Sequence, residues 1–201
     1  MPTIRQVEKD KTVGGLPLLP YSSMIANCFL WLVYGVLREE PKVWGTNLIG
    51  FLFGLFYFMR FIKFAPSKSP TLPGSVRQHV NVVLSLFAIT LAFVYLSPVK
   101  DPAGLVGNAA VLFCVAMFGS PLAALKHVLE TKSAKSIPLP FTVATVANCF
   151  LWSVTGLFDM KDANIYVPNL IGLAFGMAQV ALKFIFGGGK PHGESELELL
   201  M

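Results

Sequence analysis

Apolar residues fall in long runs along this chain, with neither the alternation of half-buried strands nor the narrow stripe of surface helices. Crossing roughly 30 Å of hydrocarbon at about 1.5 Å per residue takes about 20 mainly apolar residues. Six segments meet that length: approximately Pro20 to Leu37, Val43 to Phe64, Val80 to Leu96, Gly104 to Leu125, Pro138 to Phe158 and Asn164 to Phe186. Stretches rich in Pro, Gly, Ser and Lys separate them, such as Ala65 to Gly74 and Thr131 to Ser136, and Gly187-Gly188-Gly189 opens a tail expected to be disordered. The first fifteen residues include Arg5, Glu8, Lys9, Asp10 and Lys11 without an apolar core, which is not the pattern of a signal peptide. The pattern predicts an all-α membrane protein.

Only 13% of the 201 residues are charged, against about 25% in soluble domains, while 54% are apolar and the mean hydropathy is +0.64. Such a chain cannot clothe a water-soluble globule. The net charge of +5 and a pI near 9.2 come without a basic stripe interleaved with aromatics, so nucleic acid is not an expected partner. Lys and Arg instead sort by side of the bilayer. Twelve of them, from Arg5 to Lys190, fall on one side of the expected spans, and four, Arg38, Lys42, Lys100 and Lys161, on the other. Positive charge stays cytosolic, which puts both the N-terminal stretch and the C-terminal tail in the cytosol. Cys28, Cys114 and Cys149 sit inside apolar stretches at spacings that fit neither a disulfide framework nor a zinc site, and read as small core residues. No Walker loop, zinc spacing or nucleophile motif occurs, so no enzyme activity, cofactor or metal is expected; small residues such as Gly50 and Gly54 read as helix-packing signals.

The chain repeats itself. Ala26-Asn27-Cys28-Phe29-Leu30-Trp31 recurs unchanged as Ala147-Asn148-Cys149-Phe150-Leu151-Trp152, an offset of 121, and Asn47-Leu48-Ile49-Gly50 recurs as Asn169-Leu170-Ile171-Gly172, an offset of 122. Phe53-Gly54 and Phe175-Gly176 continue the second register. Two separated matches in order, each containing Asn, indicate duplication of a unit of several helices. The second copy has three spans and the first only two, because Arg5, Lys11 and Pro17 already face Lys126, Lys132 and Pro138. The counterpart of Gly104 to Pro121 is expected to lie before Met1, the chain being cut short rather than natively six-spanned. With Val80 to Leu96 as a single linker span, both copies run in the same direction. The expected domains are an incomplete first repeat over 1–64, a cytosolic loop and linker helix over 65–103, a second repeat over 104–186 and the tail over 187–201.

This layout, together with Met117-Phe118-Gly119-Ser120-Pro121-Leu122, the Asn-Cys-x-x-Trp segments, Tyr34-Gly35 and Val167-Pro168-Asn169, resembles the SWEET family of eukaryotic sugar facilitators from Thr3 to about Phe186. The resemblance implies two parallel three-helix bundles joined by a linker helix, a three-plus-one-plus-three plan here lacking most of its first helix. It implies helices ordered first, third, second in each bundle, and a sugar held between the bundles near the bilayer midplane.

A sugar presents hydroxyls and apolar C–H faces, which suit carboxamides beside flat aromatic rings. Asn47 and Trp31 form one such set and Asn169 and Trp152 the other, and both match the family's pocket. Each tryptophan lies about 16 Å into its span, too deep for an interfacial belt. Asn27 and Asn148 read instead as hydrogen-bonding glue within a bundle, and Trp44 as an interface anchor. Pro17, Pro121 and Pro138 match three of the family's four hinge prolines, with Pro121 deepest in its span; Pro17 and Pro138 also suit helix starts. Tyr34 and Asp162 match an extracellular gate, to which Arg38 or Lys42 is a candidate cation. Every acidic residue lies in a loop, at a span end or in the tail, and His79, His127 and His192 fall on the cytosolic side. Without a buried protonatable group, the expected activity is downhill, bidirectional uniport of a mono- or disaccharide, by preference a hexose. The plasma membrane is the expected location and an endomembrane the alternative; a homo-oligomer is possible. Two other readings stay open, an amino-acid carrier of the PQ-loop kind, whose Pro-Gln dipeptide is missing here, and a non-transporting membrane scaffold.

Overall fold

The computed structural model describes residues 2–14, 16–65 and 75–187. The loop at 66–74 and the tail from 188 onward, the latter expected to be disordered, lie outside them. Among the described residues the fold is helical throughout: α1 (Pro2–Asp10), α2 (Leu19–Leu37), α3 (Pro41–Phe64), α4 (Val76–Leu96), α5 (Pro102–Met117), α6 (Gly119–Thr131), α7 (Leu139–Val154) with a π-helical last turn (Thr155–Asp159), and α8 (Ala163–Phe186). Six stretches of the described residues are long and apolar enough to cross a membrane, with α5 and α6 counting together as one. All six coincide with the runs read from the sequence.

Three differences are instructive. The run at Gly104 to Leu125 is not one helix but two, broken at Phe118, where the amide of Phe118 turns back onto the carbonyls of Cys114 and Val115. Pro121 has no N–H for the Met117 carbonyl four residues back, and its ring crowds that carbonyl, so the break falls where proline chemistry places it. Polar residues also continue helices that apolarity alone ends early. α4 begins at Val76 rather than Val80, because Ser75 and Gln78 close a capping box there. The N-terminal stretch, read as a polar flank, is helical over Pro2–Asp10, the counterpart of the last turns of α6.

Two compact units divide inside α5, at residues 110 and 111. In the first, α2 and α3 form an antiparallel hairpin against which α1 and α4 pack. Phe87 of α4 stacks on Phe29 of α2 at 4.1 Å and on Phe51 of α3 at 5.7 Å. In the second unit α8 packs on both α6 and α7, so the third helix of this bundle is the shared neighbour of the first and second. That is the order the resemblance implied.

The repeat is visible in backbone geometry. Among the described residues, the four non-glycine residues with positive φ form two matched pairs, Lys11 with Lys132 after α1 and α6, and Glu39 with Lys161 in the hairpin turns. The ammonium of Lys11 stands 5.4 Å from the ring of Phe64, and that of Lys132 stands 5.4 Å from the ring of Phe186. Between the two hairpins the sequence offset changes from 121 to 122, so the second hairpin holds one residue more. The structure absorbs it in the π turn. Asp162 N–H reaches back six residues to the Gly156 carbonyl at 2.9 Å, where Glu40 N–H reaches back five to Gly35 at 2.8 Å. A single added residue in a helix is what a π turn accommodates.

Candidate substrate-binding site

Each hairpin is held by three close approaches in the same register. A Cβ built on Gly35 would come within 2.5 Å of the Trp44 amide, one on Gly50 within 2.9 Å of Cys28 Sγ, and one on Gly54 within 3.1 Å of Ile25. The second hairpin matches each one: Gly156 against Ile165 at 2.8 Å, Gly172 against Cys149 Sγ at 2.9 Å and Gly176 against Val146 at 2.7 Å. Small residues let helices approach this closely in a bilayer, where no hydrophobic force drives them together.

The sequence-derived site residues lie between the first and second of these approaches. Trp31 sits between Cys28 and Gly35 on α2, and Asn47 between Val43 and Gly50 on α3. Trp152 and Asn169 occupy the same places on α7 and α8. Asn47 Nδ2 donates to the Val43 carbonyl at 2.9 Å, and Asn169 Nδ2 donates to the Ile165 carbonyl at 2.7 Å. A carbonyl partner fixes which end of the amide is nitrogen, so in both repeats this bond uses one N–H and neither the oxygen nor the second N–H. Asn47, Asn169 and Trp152 are half-buried, whereas Trp31 is 7% exposed.

Beyond Trp31 the hairpins diverge. Trp31 meets the ring of Tyr34 edge-on at 5.6 Å, the Arg38 guanidinium stands 5.7 Å from the centre of the same Tyr34 ring, and Arg38 pairs with Asp101 at 3.4 Å. Asp101 also caps α5, accepting from the Gly104 amide at 2.9 Å. Tyr34 itself is 1% exposed. Its counterpart in the second repeat is Thr155, the first residue of the π turn. Asp162 caps α8, accepting from the Asn164 amide at 3.0 Å. Of the expected gate cations, Arg38 is the one at Tyr34; sequence reading missed Asp101, whose signal was an acid immediately before a Pro-initiated helix.

The three hinge candidates occupy different places. Pro121 is the third residue of α6, next to the break at Phe118, and its carbonyl accepts from Gln179 of α8 at 3.5 Å. Pro17 precedes the N-cap of α2, and Pro138 is the N-cap of α7. Asn148, read as bundle glue, is exposed on α7. One expectation is overturned. His79, read as a residue outside the spans, is 8% exposed, because α4 starts earlier than its apolar run and buries the imidazole against α2, with Ser22 Oγ 2.9 Å from Nδ1. A protonatable group of α4 is therefore buried, against Ser22, which lies nine residues along α2 from Trp31. Among the described residues no cluster of His, Cys, Asp and Glu is placed to hold a metal ion.

A family profile described as "Sugar efflux transporter for intercellular exchange" matches residues 1–69 and 104–189, covering both hairpins and leaving out α4. The chain belongs to the SWEET family. It is 28% identical over 199 residues to the Arabidopsis thaliana bidirectional sugar transporter SWEET10, covering 98% of this chain and 67% of that one. Against rice SWEET15 it is 27% identical, covering 95% of this chain and 60% of the relative, and against the Drosophila pseudoobscura sugar transporter SWEET1 29% identical, covering 90% and 79%. The chain thus spans about two thirds of the length of these plant SWEET proteins. A 3.7 Å structure of a eukaryotic SWEET transporter superposes with a TM-score of 0.81 at 26% identity, covering 94% of this chain and 88% of that one.

Proposed function

We propose that this multi-pass membrane protein moves a small sugar, a hexose, down its concentration gradient in either direction. The observation that carries this reading is the duplicated constellation: in a chain of the SWEET family, each hairpin sets one indole and one carboxamide between the same two close helix contacts. The indole offers a face to the sugar's C–H surface and the carboxamide offers a donor and an acceptor to its hydroxyls. Transport follows alternating access, with Pro121 at the α5–α6 break as the principal hinge, Pro17 and Pro138 at the helix starts, and Tyr34 and Asp162 as an extracellular gate.

The excess of Lys and Arg on the N-terminal side supports a cytosolic N-terminal stretch and tail, and the plasma membrane is the proposed location. His79 does not alter the uniport reading: its partner Ser22 lies about 13 Å along α2 from Trp31, outside the indole–carboxamide pair.

The test is uptake of labelled glucose by cells lacking other hexose carriers. Asn47→Ala and Asn169→Ala each remove sugar hydrogen bonds worth about 0.5 to 1.5 kcal/mol apiece, so each is expected to abolish most uptake at unchanged surface abundance. Near-normal uptake by both variants would remove the asparagines from the site.

A further inference from the structure

We propose that Cys28 with Gly50, and Cys149 with Gly172, are positioning residues that set the spacing between the sugar-binding indole and carboxamide in each repeat. The proposal rests on the sugar-binding reading of Trp31, Asn47, Trp152 and Asn169, and adds to it what holds each pair in place.

The geometry comes from helix periodicity. Cys28 and Trp31 are three residues apart on α2, and Asn47 and Gly50 are three apart on α3, so each pair lies on one helix face about a turn apart. The helices are antiparallel. One turn from the Cys28–Gly50 contact toward the hairpin turn therefore reaches Trp31 on one helix and Asn47 on the other. One turn further on, Gly35 meets Val43 and Trp44 and closes the bracket. Sulfur fills the space at the first contact, since a Cβ on Gly50 would lie 2.9 Å from Cys28 Sγ. At Gly172 the same construction gives 2.9 Å to Cys149 Sγ, with the Phe118 ring a further 0.5 Å away at 3.4 Å. Real Cβ atoms do not come so close. A methyl group at either glycine must push its helix outward beside the binding pair, or swing the sulfur through the one torsion cysteine has. That the same sulfur–glycine approach occurs in both repeats, at the same remove from the same two residue types, is what distinguishes it from ordinary small-residue packing.

Displacing a binding group by a fraction of an ångström weakens a site while leaving its residues present. The predicted signature is a binding defect in a folded protein, reversed when the sulfur is removed. Gly45 supplies a control on the same helix, because a Cβ there meets nothing within 4 Å.

The experiment titrates glucose against the purified 201-residue chain in detergent, following tryptophan fluorescence for Kd, and measures KM and Vmax for glucose entry into proteoliposomes at matched protein. Gly50→Ala and Gly172→Ala should raise Kd and KM by about tenfold with Vmax retained, and Gly45→Ala should change neither. The double variant Cys28→Ala/Gly50→Ala should return Kd to within about twofold of the unaltered chain. If Gly50→Ala yields no folded protein, Cys28→Thr crowds the same contact from α2 and carries the same expectation. Unchanged Kd in both glycine variants, a loss confined to Vmax, or no recovery in the double variant overturns the positioning role while Asn47→Ala still abolishes binding. If the unaltered chain binds no glucose, the sugar-binding reading falls and this proposal falls with it.

Discussion

Asn47 and Asn169 make the same hydrogen bond to the carbonyl four residues earlier, in helices whose sequences share only short islands of identity. The matched positions were legible in the sequence, because Asn is costly in a membrane and Trp deep in a span is unusual, so both stand out against Leu, Val and Phe; the hydrogen bonds were not. What surrounds them was less legible. Gly50 and Gly54 were recognised as packing residues, but their partners depend on the antiparallel pairing of α2 with α3, which is not local information. The burial of His79 was missed for a related reason, since apolarity alone does not register a capping box. At this scale the two indoles give a prediction. Trp31→Ser removes one stacking face, worth about 1 kcal/mol by analogy with other aromatic contacts, so the apparent affinity for glucose should fall roughly fivefold. Sucrose should compete poorly with labelled glucose in the unaltered protein and better in Trp31→Ser. Equal inhibition by sucrose and by glucose analogues in the unaltered protein contradicts a preference for a monosaccharide.

Among the elements, the six apolar stretches were readable because a bilayer demands length and apolarity together. Breaks within and extensions beyond those stretches were not. The α5–α6 discontinuity lies inside one long, mainly apolar run, and its sign was the Gly119-Ser120-Pro121 step that follows Phe118. The π turn had a quieter signal, the change of offset from 121 to 122 between the two conserved islands, which required one added residue somewhere between Trp152 and Asn169. Substituting Pro121→Ala restores an amide to the Met117 carbonyl and removes the ring that crowds it, so α5 and α6 should join. Amide exchange across 118–122 should slow, and glucose turnover should fall while Kd for glucose is kept. Turnover equal to that of the unaltered chain, with slowed exchange, would show that the break is not a hinge.

At the scale of the molecule, duplication explains the matched cation–π contacts of Lys11 and Lys132, the paired left-handed residues and the shared ladder of glycine contacts. The distribution of Lys and Arg adds a direction that helix packing cannot supply. With the tail cytosolic, an epitope after Lys190 should be unreachable by antibody in intact cells and accessible once they are permeabilised, whereas labelling of intact cells reverses the orientation. The central claim is downhill passage of a hexose, and one measurement bears on it most directly. Purified chain is sealed into vesicles, and labelled glucose is followed inward and outward with and without an imposed proton gradient. Saturable movement in both directions that stops at equal concentrations, unchanged when the proton gradient is collapsed, is the expected result; accumulation above the outside concentration, or no glucose movement beyond that of protein-free vesicles, contradicts it.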